Sequence, residues 1–106
     1  MPFLDLADLD IRDIMPGFHG KLIHTDQVSV VHWEIDAGAL LPDHAHPQEQ
    51  ISIMLAGEFE FTIAGETQIV GPGEVAVIPG NTRHSGRAIT AVRVIDLFSP
   101  PRDDYR

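Results

Sequence analysis

Two of the six histidines in the chain, His44 and His46, are separated by a single residue. On an extended strand alternate side chains share a face, so this pair is expected to present two imidazoles to one side. Gln50 follows four residues after His46, and the same parity runs on through Ser52 and Met54. His84 lies far downstream, after the turn-forming Pro79-Gly80-Asn81-Thr82. Neutral imidazoles and an amide oxygen suit a divalent metal such as nickel, zinc, iron, manganese or copper, and the donor set does not choose among them. Three histidines and a glutamine leave one or two coordination positions open, which points to catalysis or ligand binding and not to a structural plug. On spacing alone, histidines scattered over exposed loops account for the pattern equally well. His19, His24 and His32 lack such partners and read as surface or packed residues.

A second feature lies near the C-terminus. Asp96 interrupts the apolar series Val92, Val94 and Phe98 on one strand face. A carboxylate on a core-facing stripe is costly unless it is paired, metal-bound or functional, or satisfied by a structural hydrogen bond. Arg102 follows Pro100-Pro101, on a stiff tail that reaches a site only if the chain folds back; otherwise it is a solvated terminal charge.

The elements that must position these residues are short strands. Val28–Ile35, Ile51–Ala56, Glu58–Ile63, Glu66–Val70, Val75–Pro79 and Ala91–Phe98 are rich in β-branched and aromatic residues, and Gly or Pro punctuates them. No helical stripe longer than two turns follows Gln27. The expected fold is all-β, a single jelly-roll β-barrel built by residues 27–99. Residues 1–26 form an N-terminal arm and a first strand, and residues 100–106 a tail. The segment from Met1 to Gly20 fits an extended arm or a short helical turn equally well.

With 106 residues the chain is one domain. A 43% hydrophobic and 22% charged composition is that of an ordinary soluble globular protein. No apolar run is long enough for a membrane span and no secretory leader opens the chain, so a cytoplasmic location is expected. Cysteine is absent, which excludes disulfides, thiolate metal sites and thiol catalysis. A net charge of -9 disfavours nucleic acid as a partner. Ile51, Ile53 and Leu55 alternate with Gln50, Ser52 and Met54 and should point outward, an apolar face that a homodimer would cover. The alternative cover is the N-terminal arm with Leu4, Leu6 and Leu9.

Gly38-Ala-Leu-Leu-Pro-Asp-His44-Ala-His46-Pro-Gln-Glu-Gln50, running on to Gly57, resembles the first cupin motif. Gly73 through Pro79 to Thr82-Arg83-His84 resembles the second. Three positions depart from the general pattern: Gln50 replaces the motif Glu, Asn81 replaces the Gly after Pro-x, and Ala88 replaces the terminal Asn. The string His-x-His-Pro-x-Glu-Gln is similar to the cupin subgroup that includes KdgF-type proteins of pectin and alginate degradation. The tail Asp96-Leu-Phe98-Ser-Pro-Pro-Arg102-Asp-Asp-Tyr105 resembles that of the same subgroup.

The resemblance implies a double-stranded β-helix barrel and one divalent metal held by His44, His46, Gln50 and His84. It implies catalytic roles for Asp96, Phe98 and Arg102, and a homodimer. The implied substrate is a carboxylated sugar: a 4,5-unsaturated uronate released by polysaccharide lyases and converted to its linear ketonised form. A non-catalytic metal-dependent binding protein, and another cupin reaction such as dioxygenation or sugar isomerisation, are the alternatives.

Overall fold

In the computed structural model residues 2–106 are described, and Met1, the first residue of the expected arm, lies outside them. Ten strands follow one another along the chain: β1 (Arg12–Met15), β2 (Phe18–His24), β3 (Ser29–Ile35), β4 (Leu40–His44), β5 (Glu49–Ala56), β6 (Phe59–Ile63), β7 (Glu66–Val70), β8 (Val75–Ile78), β9 (His84–Ala88) and β10 (Val92–Ser99). The helical content of the described residues is two three-residue 3-10 turns, Leu6–Asp8 and Asp103–Tyr105. The strands form two antiparallel sheets, ordered β1-β2-β3-β10-β5-β8 and β4-β9-β6-β7.

The all-β expectation holds, and five of the six strands anticipated after Gln27 agree with those observed to within one residue at each end; the exception, β5, begins two residues before Ile51. The N-terminal segment supplies more than an arm with one strand. After the turn at Leu6–Asp8, β1 and β2 form a hairpin, and β2 pairs with β3 along its whole length. Gly17 and Gly20 had obscured this run in the sequence, because glycine weakens a strand signal.

Period-two alternation builds the core. Val31, Trp33 and Ile35 of β3 turn inward beside Val92, Val94 and Phe98 of β10. They join Met54, Ile78, Phe59, Phe61 and Ala88 in one buried cluster. Burying a side chain of this size contributes roughly 1.5–3 kcal/mol. The same alternation carries polar groups inside. Across the large sheet, Phe98 pairs with Ser29 and Gln50, and Asp96 pairs with Val31 and Ser52. The polar residues therefore gather at one end of the apolar core, below which Trp33, Val94 and Met54 close the interior.

Candidate metal centre

His44 ends β4 and His84 begins β9, and the register pairs them directly across the small sheet, with ring centroids 4.2 Å apart. His46 arrives differently. β4 stops at His44, so His46 lies beyond the strand, in the loop leading to β5. The expectation that both histidines share one strand face is corrected here: the strand ends before Ala45, two residues before Pro47, and the loop brings the His46 ring to 5.6 Å from His44 and 4.9 Å from His84.

The loop is held against the turn before β9. Asn81 donates its backbone N–H to the His46 carbonyl at 2.7 Å. Gly80 packs so closely on Pro47 that a Cβ there would lie 2.4 Å from the Pro47 carbonyl oxygen. Asn81 has φ +61°, in the left-handed region that asparagine takes more readily than other non-glycine residues. The departure from glycine at this motif position is thereby accommodated.

Each of the three rings is oriented by the backbone. His44 Nδ1 donates to the Pro42 carbonyl (2.7 Å), His46 Nδ1 to that of Gln48 (3.0 Å), and His84 Nδ1 to that of Thr82 (2.9 Å). A carbonyl only accepts, so in each neutral imidazole the proton sits on Nδ1 and Nε2 keeps its lone pair. The three rings offer ligand atoms within 4.8 Å of one another. His84 Nε2 is buried without a hydrogen-bond partner among the described residues. Such an orphan is costly in a protein interior and is the expected state of a ligand atom. Burial holds the His84 imidazole down at about 4 and also lowers that of His46, so both rings favour the neutral form that binds metal. This cluster could hold a divalent metal.

Gln50 adds a second sign. Its Nε2 donates to Ser52 Oγ at 3.0 Å, which turns Oε1 to within 3.1 Å of His46 Nε2. Two lone-pair acceptors at that distance repel each other unless a cation or proton lies between them. The donor chemistry here, three imidazoles and an amide oxygen, fits a divalent metal.

The hydrogen bonds continue inward from Gln50. Ser52 donates to Asp96 Oδ1 at 2.6 Å, and Trp33 Nε1 donates to Asp96 Oδ2 at 2.9 Å. Asp96 is thus a satisfied buried carboxylate, aligned with Gln50 through Ser52. Burial nevertheless raises it to about 6, with the bonds from Ser52 and Trp33 pulling the other way. The cavity beside it is lined by His44, His84, Gln50, Asp96, Phe98 and Arg102, among others.

Arg102 reaches this cavity because the tail folds back as a strap. Its backbone N–H donates to Ser29 Oγ at 2.8 Å, Gln48 Nε2 donates to the Pro101 carbonyl at 3.1 Å, and Arg12 donates to the Tyr105 carbonyl. The guanidinium carbon lies 4.8 Å from the Phe98 ring centroid and 4.0 Å from that of Tyr105. The Phe98 ring in turn stands edge-on to His46 at 5.6 Å. The solvated-terminus alternative is therefore excluded by the strap, which leaves the Arg102 side chain 8% exposed.

All seven residues singled out in the sequence thus meet at one end of the barrel. Trp33, Ser29 and Asp104 were not anticipated. Each acts through an inward face or a fold-back that only register reveals, and Trp33, the sole tryptophan, carried no spacing signal. His19, His24 and His32 stay outside the cavity. His19 bridges Asp13 and Asp36 on the surface, and His24 Nδ1 contacts Ser29 Oγ at 2.7 Å.

Comparison with known proteins is consistent with this arrangement. The Cupin domain family matches residues 31–98. The chain is 32% identical over 97 residues to the pectin degradation protein KdgF of Dickeya dadantii, covering 89% of this chain and 88% of that one. It superimposes on the structure of KdgF from Halomonas sp. with a TM-score of 0.93 and 35% identity, over 100% of this chain and 99% of that one. A RmlC-like cupin from Shewanella frigidimarina gives a TM-score of 0.94 at 27% identity, over 100% and 96% of the respective chains. Family match, fold and histidine geometry agree: the chain belongs to the cupin domain family, and its fold is the cupin jelly roll.

Proposed function

We propose that the protein is a metal-dependent enzyme that opens and ketonises 4,5-unsaturated uronates. The observation that carries the proposal is the meeting of Asp96, a buried carboxyl raised to about 6, with Arg102 in the cavity of a three-histidine cluster. Similarity to proteins named for pectin degradation supplies the substrate class.

His44, His46, Gln50 and His84 would hold the metal, which when bound supplies Lewis acidity to an oxygen gaining negative charge. In the reaction the bond between C1 and the ring oxygen breaks, C1 becomes an aldehyde, and the freed oxygen on C5 becomes the ketone as C4 gains a proton. The proton lost from the C1 hydroxyl balances the one gained at C4, so the change is an isomerisation. Asp96 would deliver the proton to C4, a role suited to a carboxyl raised toward neutrality. Ser52 and Trp33 fix its orientation. Arg102 would clamp the substrate carboxylate with paired N–H groups, and Phe98 would support both the guanidinium and the sugar face. The test is the loss of the substrate's ultraviolet absorbance in the presence of the protein, compared with a blank.

The active form would be a homodimer. Ile53, Leu55, Val75 and Val77 lie on the outer face of β5 and β8 and are 39%, 43%, 51% and 59% exposed. The N-terminal arm is unsuited to cover them, because β1 is at the opposite edge of that sheet from β8. A second copy is the natural cover for such a face.

A further inference from the structure

We infer that Asp104 is a positioning residue for Arg102, fixing the guanidinium so that one edge stays available to a planar carboxylate in the cavity. The inference rests on the reading of Arg102 as the substrate clamp.

A guanidinium has five N–H donors arranged as two forks. Asp104 takes one fork: Oδ1 accepts from Nε at 3.0 Å and Oδ2 from Nη2 at 2.8 Å. The Nη1 protons and the second Nη2 proton lie outside this pair, along the other edge. Burial distinguishes the two sides. The Arg102 side chain is 8% exposed and lines the cavity, whereas that of Asp104 is 60% exposed and lies outside the lining. Asp104 therefore grips the cation from the solvent side. The Phe98 and Tyr105 rings pack against the guanidinium plane, and the backbone bond from Arg102 to Ser29 anchors its base. Without Asp104 the guanidinium would keep its anchor and its ring contacts but regain rotamer freedom and lose its counter-charge.

The rival arrangement makes Asp104 an internal stand-in for the substrate carboxylate, to be displaced on binding. The two predict opposite signs. D-galacturonate, used as a probe with metal-loaded protein, can be followed through Trp33, the sole tryptophan, whose ring lies 6.4 Å from Tyr105. Asp104→Ala should weaken probe binding on the order of tenfold, the scale of hydrogen bonds to charged groups. Asp104→Glu should restore most of it, and with unsaturated galacturonate the loss should appear in KM more than in kcat. Metal content should not change. Tighter or unaltered binding in Asp104→Ala overturns the inference.

A second measurement needs no substrate. The Arg102 Nε–H resonance should be protected from solvent exchange in the wild type and lose that protection in Asp104→Ala; equal exchange in both overturns the grip itself. A wild-type protein that ignores galacturonate would instead overturn the clamp reading of Arg102, while the Nε–H signal separately decides the hold of Asp104.

Discussion

His44 and His84 face each other as register partners at the ends of β4 and β9, 40 residues apart in sequence and 4.2 Å apart between ring centroids. Each donates Nδ1–H to the carbonyl two residues before it, Pro42 for one and Thr82 for the other. The pairing of two strands thus aims both Nε2 lone pairs at one point, and the loop after β4 adds His46. If these atoms bind the metal, His44→Ala and His84→Ala should each weaken it by more than the roughly 10–100-fold typical of losing an outer hydrogen-bond partner. Elemental analysis after gel filtration checks this. Stoichiometric metal retained by the His44→Ala, His46→Ala double variant contradicts the assignment.

The metal-free protein should lose stability on acidification in a way that His84 explains. Its imidazole is held at about 4 against an ordinary 6.5, so between those values the unfolded chain binds the extra proton. The contribution of His84 is therefore complete above about 6.5 and declines as pH falls toward 4. At about 1.4 kcal/mol per pKa unit the full drop from 6.5 to about 4 is roughly 3–4 kcal/mol. Urea unfolding at pH 7 and pH 4.5 should show a smaller acid loss in His84→Gln than in the wild type. Equal losses in the two proteins contradict it.

Removing the hydroxyl that links Gln50 to Asp96 should be costly. In Ser52→Ala the buried Gln50 amide and one Asp96 oxygen each lose their partner. The expected destabilisation is roughly 1–3 kcal/mol. Because the Ser52 bond favours the ionised carboxylate, its loss should raise the Asp96 carboxyl above about 6. Carboxyl NMR titration reads this directly, and an unmoved or lowered Asp96 contradicts the network described.

Much of the fold and of the site is legible in the sequence. Six of the strands after Gln27 are legible as β-branched and aromatic runs, and the one buried face of β5 and β10 puts Gln50, Ser52 and Asp96 inside, whereas β4 and β9, which carry His44 and His84, give no such run. Less was legible where glycine or loops intervene. The run Phe18–His24 reads poorly as a strand because Gly20 sits in its middle; there the ring of Trp33 occupies the space a Cβ would need, 2.7 Å away. The His44–His46 spacing reads as a strand because spacing cannot show where pairing stops. Ser29 carries no local signal, since its role depends on the fold-back of a tail 73 residues away, and Asp104, though only two residues from Arg102, gains its role only once that fold-back buries the guanidinium.

The apolar outer face of β5 and β8 predicts the oligomeric state. Light scattering should return twice the 11.7 kDa chain mass. Val77→Lys should yield monomers with little change in fold, because Val77 is 59% exposed within one chain. A wild-type monomer contradicts the dimer.

In the proposed reaction this cavity isomerises unsaturated uronates with Asp96 as the proton donor. The most direct measurement is the initial rate of absorbance loss of unsaturated galacturonate with metal-loaded protein, set against a protein-free blank and against Asp96→Asn. The wild-type rate should lie well above the blank, and Asp96→Asn should lose on the order of 10²–10⁴-fold in kcat with metal content unchanged. A wild-type rate equal to the blank, with this substrate and with its alginate-derived counterpart, would overturn the enzymatic reading and leave a metal-dependent binding protein in its place.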